Sequence, residues 1–329
     1  MSRLARLTFL FWIAGACSAQ QVRQQALGFL FDSPAGVVRP VWGVPGAAHV
    51  GNPLELGAGI AGIAASPNQD FLVVLAGTSR TAEVWMHDTQ TIQALPNVQA
   101  GATQVSLSPE GGSAAFFYPD LNRIQVVTGM PSAPVASFTA DLSSLMNPLR
   151  AFTVSDDGAL LLASESFVDG NAAPAVVAYG PEGVVSRIPL AGSASAIAFV
   201  SHTHDVLLSS DSEAVLVRDA AAQASRTLLA ALANSAAGVI SSSDGKRALF
   251  ANSSTGLVSV FSLQSPGATP VTLDCQCAPT GIFRTAAPSI YRLTGDAGAP
   301  VSLLDVSSTQ PRLLLIPPAV VTENTPGNQ

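Results

Sequence analysis

An all-β fold, a β-propeller of seven four-stranded blades, is what this sequence predicts, and three observations predict it. A unit returns about every 44 residues, six times over, and a fixed period of that size marks radial or stacked repeats. Each unit carries a nearly all-apolar strand just after a Ser-led polar turn; apolar residues on both faces of a strand mean that both faces are covered. The last strand of each unit is short and more polar, as in Arg226–Leu229 and Pro270–Leu273, which suits a blade whose outer edge meets solvent.

The chain of 329 residues opens with a segment that does not belong to that pattern. Arg3 and Arg6 precede an apolar run from Leu7 to Ala16, and Cys17-Ser18-Ala19 supplies small residues for cleavage. This is the layout of a secretory signal peptide over residues 1–19. The run is too short to span a bilayer, which takes about 20 apolar residues. Lipidation at Cys17 is the weaker alternative, because Ala14 stands where a lipobox has a large aliphatic residue. The expected product is secreted, periplasmic or at the cell surface, with no transmembrane span.

Residues 20–316 are expected to form one propeller domain. Leu27–Asp32 and Val37–Trp42 supply two strands of a first blade built from the N-terminus. Six blades preceded by an N-terminal extension is the alternative. The six complete units then run from about Gly59 to Ile316, their turns opened by Ser66, Ser108, Ser155, Ser201, Ser242 and Thr285. Their second strands include Phe71–Ala76, Ser113–Tyr118 and Ala159–Ala163, and the third strands partly alternate, as in Glu83–His87. Ala220–Ala237 has the composition of an Ala-rich helix, but its place in the repeat makes it a loop and a fourth strand. Arg312–Ile316 is expected to close the ring by pairing with an N-terminal strand, which would protect an exposed edge. Residues 317–329, polar and containing Pro317-Pro318, are expected to be a disordered tail.

One unit is sharper than the rest. Ser243-Asp244-Gly245-Lys246 leads into Arg247–Asn252, and Thr255-Gly256 into Leu257–Val260. This run resembles the YVTN-type bacterial propeller repeat, while the Trp-Asp dipeptide of WD-repeat proteins is absent. The resemblance implies an exported or surface propeller that binds rather than catalyses, and it carries no catalytic residues to transfer.

Composition narrows the function further. The formal net charge is −7 and Lys246 is the only lysine, which argues against nucleic acid, whose phosphates need clustered Lys and Arg. Charged residues make up 11% and apolar ones 48%, which fits a surface partly covered in an assembly with an envelope protein, a secreted protein or a surface polymer. Cys275 and Cys277 are a candidate structural disulfide in an oxidising compartment.

Among the candidate sites, His202-Thr203-His204-Asp205 puts two histidines on one side of an extended segment, a metal-ligand spacing. It occupies the slot of the polar turns in sister units, so it is read as a surface turn. A second set comprises carboxylates between second and third strands: Asp32, Asp120, Glu165, Asp169, Asp211, Glu213 and Asp296. These loops share one face and could ring the channel mouth, attracting a basic partner or holding Ca²⁺, which takes several oxygen ligands; equally, turns favour Asp for local hydrogen bonds. The longest of these loops, Ser164–Pro174, presents Phe167 as a contact residue. No nucleophile elbow or zinc-protease helix motif is present. No cofactor is expected. The reading is a binding or assembly module; the alternative is a propeller enzyme of the metal-dependent lactonase or quinoprotein kind.

Overall fold

A computed structural model describes residues 26–57, 59–143, 149–165, 174–222, 225–232, 234–294 and 299–318. The expected signal peptide and most of the expected tail lie outside the described residues. Seven antiparallel sheets succeed one another along the chain. Blade 1 is β1 (Ala26–Asp32), β2 (Val37–Val44) and β3 (Ala47–Val50); blade 2 is β4 (Ile60–Ala65), β5 (Phe71–Ala76), β6 (Thr81–Met86) and β7 (Thr91–Ala94). Blade 3 is β8 (Gln104–Leu107), β9 (Ser113–Tyr118), β10 (Arg123–Thr128) and β11 (Val135–Asp141). Blade 4 is β12 (Phe152–Val154), β13 (Leu161–Glu165), β14 (Ala175–Gly180) and β15 (Gly183–Pro189). Blade 5 is β16 (Ala194–Phe199), β17 (Val206–Ser210), β18 (Glu213–Arg218) and β19 (Ser225–Ala231), so the Ala-rich stretch does contain a fourth strand. Blade 6 is β20 (Gly238–Ser241), β21 (Arg247–Ala251), β22 (Leu257–Ser262) and β23 (Val271–Asp274). Blade 7 is β24 (Phe283–Arg284), β25 (Ile290–Arg292), β26 (Val301–Asp305) and β27 (Arg312–Ile316). This is the seven-bladed propeller.

The second strands show why their sequences are apolar throughout. In β5, Phe71, Val73 and Leu75 pack toward blade 3, while Leu72 and Val74 pack toward blade 1. Likewise β21 sends Ala248 and Phe250 toward blade 5 and Leu249 and Ala251 toward blade 7. Successive side chains point to opposite faces, and in a propeller both faces meet a neighbouring blade. Seven apolar clusters result, one at each of the seven interfaces between adjacent blades. Each fully buried Leu or Phe there contributes about 1.5–3 kcal/mol relative to exposure. The fourth strands carry the wet edge: β7 is exposed throughout, and Leu228 and Leu315 are open to solvent.

The polar turns are built alike. Ser66 Oγ accepts hydrogen bonds from the N–H groups of Asp70 (3.0 Å) and Phe71 (3.1 Å) and donates to Asp70 Oδ1 (2.5 Å). Ser155 and Ser242 repeat this, accepting from Leu160 and Arg247 N–H (2.9 Å each) and donating to Asp157 and Asp244 (2.6 Å each). The fourth turn residue needs a left-handed backbone, which glycine adopts without strain: Gly111, Gly158 and Gly245 have φ of 79°, 64° and 64°. Blade 5 departs from the expected register. There Val200 N–H, not Ser201, bonds back to the Asp205 carbonyl (2.8 Å), so Ser201 is one residue out of the turn-locking position.

Ring closure also differs from expectation. Among the described residues β27 pairs only with β26, not with an N-terminal strand. The ring closes instead by packing: Leu27, Leu30 and Val41 of blade 1 meet Ile290, Val301, Leu303 and Ile316 of blade 7. Ala286 N–H adds a hydrogen bond to the Leu27 carbonyl at 2.9 Å. The physical reason lies in β1, which holds a second-strand place with both faces buried, as its neighbours Phe29 and Leu30 in two different clusters show. Blade 1 therefore has three strands among the described residues and lacks an inner one.

Candidate functional site

The inner strands β4, β8, β12, β16, β20 and β24 surround a central channel, and consecutive inner strands from β4 to β20 touch. The channel encloses a cavity of about 560 Å³, a size typical of small-molecule pockets. Where blade 1 has no inner strand among the described residues, Phe29 and Phe31 of β1 line the cavity. Gln69 bridges the gap, its amide donating to the Ser66 carbonyl (2.7 Å) and to the Arg284 carbonyl (3.2 Å) of blade 7. That contact joins residues 215 positions apart. It also explains a non-glycine residue at φ 60°: the side chain repays the backbone strain with two hydrogen bonds.

Arg284 spans the channel at the turn face. It directly precedes the turn-opening Thr285, where sister units carry Ala65, Leu107, Val154 and Ser241. Its side chain is 11% exposed, and the guanidinium donates to the Pro109 carbonyl of blade 3 (3.0 Å), Ser201 Oγ of blade 5 (2.8 Å) and the Ser241 carbonyl of blade 6 (3.1 Å). One side chain on blade 7 thus ties three other blades. The register shift that took Ser201 out of its own turn is what frees its hydroxyl for Arg284. The Arg284 Nε is buried without a partner among the described residues.

Around the same mouth, Asp156 of blade 4 accepts from the Glu110 N–H of blade 3 (2.7 Å) and the His202 N–H of blade 5 (2.9 Å). Glu110, Asp156 and His202 bring a ligand atom each within 4.8 Å of one another. The electrostatics do not favour a cation there. Both Asp156 oxygens are engaged by N–H donors, Arg284 Nη1 lies 3.8 Å from Glu110 Oε1, and His202 is 71% exposed. Beside it, His204 Nε2 stands 3.0 Å from Asp157 Oδ2. Burial pushes the Asp157 carboxyl up, but hydrogen bonds from Ser155, Ala159 N–H and His204 outweigh it and hold the group below its ordinary value. The 202–204 segment is a surface turn.

The second arginine of the channel is Arg292 on β25. Its guanidinium sits 4.1 Å from the Phe283 ring centroid, and Nη1 donates to the Thr294 carbonyl at 2.7 Å. Burial draws its pKa down to about 10, which leaves it cationic at neutral pH. The remaining lining is apolar, from Ile63, Val105, Ile197 and Val239 among others, with hydroxyls from Ser106, Thr153 and Thr280. Arg284 and Arg292 are its charged groups among the described residues.

Of the carboxylates singled out from the sequence, Asp32, Asp120, Asp211 and Glu213 do not line this cavity. Asp120 is exposed in a single 3-10 turn, Pro119–Leu121, and Asp211 is exposed before β18. Asp32 Oδ1 accepts from Ala35 N–H at 3.2 Å, a local turn bond. Glu213 is buried, accepts from Ala191 N–H (2.9 Å) and pairs with Arg226, so it fastens the outer strand of its own blade. Glu165 ends β13; Phe167, Asp169 and Asp296 lie outside the described residues. Cys275 and Cys277 are joined, with S–S 2.08 Å. The two channel arginines were missed, although the signal was present: each is a lone charge in an otherwise apolar inner or second strand.

No protein-family model matches the chain, and a search of curated proteins finds no relative. Solved structures do resemble it. Hydrazine synthase of Kuenenia stuttgartiensis aligns with a TM-score of 0.58 over 89% of this chain and 99% of that one, at 14% identity. A functionally unknown protein from Desulfotomaculum acetoxidans DSM 771 aligns with a TM-score of 0.54 over 75% of this chain and 78% of that one, at 13% identity. At such identities the likeness is one of fold, the β-propeller.

Proposed function

We propose that this protein is an exported propeller that works as a binding module and takes its ligand into the central channel. The observation that carries the reading is the 560 Å³ cavity, apolar on most of its wall and spanned at the turn face by Arg284. Export rests on the signal-like residues 1–19 and is supported by the Cys275–Cys277 disulfide, since such bonds persist in oxidising compartments. The finer assignment to YVTN-type repeats rests on Ser243–Asn252 and Thr255–Val260. The likeness to hydrazine synthase at 14% identity carries no chemistry across.

The test is a thermal-shift panel on the chain from residue 20, run against organic acids, sugars, lactones, quinones and divalent metals with EDTA controls. A ligand at 100 times its Kd adds about 2.7 kcal/mol, which for roughly 300 residues raises the Tm by about 4 °C. A shift abolished by Val105→Trp, which puts a larger side chain on the cavity wall, supports channel binding. A panel flat throughout, or a shift indifferent to Val105→Trp, overturns it.

A further inference from the structure

Arg292 is the group in this cavity whose chemistry is left unspent. Arg284 also reaches the channel, but its terminal nitrogens hold the blades together. Arg292 spends one donor on the Thr294 carbonyl and has no ion-pair partner among the described residues. A guanidinium has five donors in a fixed fork. Half-buried and without an ion-pair partner among the described residues, it bears part of a desolvation cost that an incoming anion would relieve. No described carboxylate lines the cavity, whose charged groups among the described residues are the two arginines.

The rest of the wall sets the shape of the guest. Phe283 lies under the guanidinium and is 40% exposed, and Phe29 and Phe31 enter from the blade that lacks an inner strand. One ring on the cation and two more in the same lining suit a flat apolar body with a charge at one end. A phosphate dianion would require several more donors than one free fork, whereas a carboxylate matches the fork in two parallel N–H···O bonds.

We propose that the central cavity binds a small organic carboxylate with a flat aromatic body, its carboxylate on the Arg292 guanidinium and its ring against the phenylalanine wall. The inference rests on the channel-binding reading above and names the ligand class for it.

The experiment is titration calorimetry on the chain from residue 20, with 2-naphthoate, its neutral isostere 2-naphthamide, and acetate as probes. Naphthoate should bind at least about tenfold tighter than either of the others, since it alone offers both the charge-assisted pair and the buried ring. Arg292→Met keeps the apolar stem on Phe283. It should erase the preference for naphthoate over naphthamide while leaving naphthamide affinity within about twofold. Arg292→Lys keeps the charge without the fork and should fall between. Melting curves establish that each variant is folded, and Phe283→Leu, which leaves Arg292 in place, should weaken both naphthyl probes together. Equal binding of naphthoate and naphthamide to the wild type overturns the carboxylate assignment while the cavity still binds. A naphthoate preference that survives Arg292→Met overturns it as well. Binding of none of the three probes overturns it too, and channel binding as a whole then stands or falls with the broader panel and Val105→Trp.

Discussion

Replacing Arg284 by Met removes three hydrogen bonds while keeping most of the side-chain volume. The bonds run to the Pro109 carbonyl, Ser201 Oγ and the Ser241 carbonyl, at 2.8–3.1 Å. A hydrogen bond to a charged group is worth about 1.5–3 kcal/mol. The sum is not simply additive, because Nε, buried without a partner among the described residues, is removed with the rest of the guanidinium. We expect a net loss of about 3 kcal/mol. With roughly 300 residues unfolding together, that lowers the Tm by about 5 °C in scanning calorimetry. The decisive version is a cycle with Ser201→Ala. If Ser201 Oγ is an acceptor for Arg284, the two changes couple by about 1 kcal/mol or more. A Tm change under about 1 °C for Arg284→Met, or strict additivity with Ser201→Ala, refutes the idea that this guanidinium ties the blades.

Further predictions follow the same geometry. Asp156→Ala should cost about 1–2 kcal/mol in urea unfolding, because Glu110 and His202 N–H both lose their acceptor; Asp156→Asn, which keeps one carbonyl, should cost less. The carboxyls of Asp157, Asp244 and Asp305 are each pushed up by burial but held below the ordinary 3.8 by hydrogen bonds and neighbouring cations. A lowered folded pKa means stability that is complete above the unfolded value and lost as pH falls through the folded one. Unfolding free energy should therefore drop below about pH 4, and a combined Asp→Asn variant at these positions should show a shallower drop between pH 5 and pH 3. Tyr118 is pushed up to about 12 chiefly by burial, against the lowering effect of Arg123 and its bond to the Gln99 carbonyl, and Tyr291 is raised by burial too. Absorbance titration near 295 nm should show Tyr118 neutral at pH 10.5 and Tyr291 titrating above its ordinary value, and a full three-tyrosine signal at pH 10.5 would contradict the burial.

The local rules were legible in the chain because each acts within a few residues. The turn-opening serines at 66, 108, 155 and 242 lock their own loops, and a strand such as Phe71–Ala76, apolar at every position, admits only a place covered on both sides. Blade 5 shows where local reading fails. Ser201 looks like its sisters in sequence, yet Val200 takes the turn position and Ser201 serves Arg284. A shift of one residue is invisible to a period that itself varies by several.

By itself, then, the sequence determined the repeat, the all-β class and the turns that separate inner strands from second strands, since periodicity and side-chain alternation are short-range properties; seven blades rather than six with an extension came from the structure. Only the tertiary structure decided how the ring closes, that blade 1 has three strands among the described residues, and which face of the channel is spanned. Those outcomes depend on partners far apart in the chain, Gln69 with Arg284 across 215 residues and Arg284 with Pro109 across 175. A lone arginine in an apolar strand announces a compensated charge, but where its compensation comes from is fixed by the curvature of the ring, which no local pattern encodes.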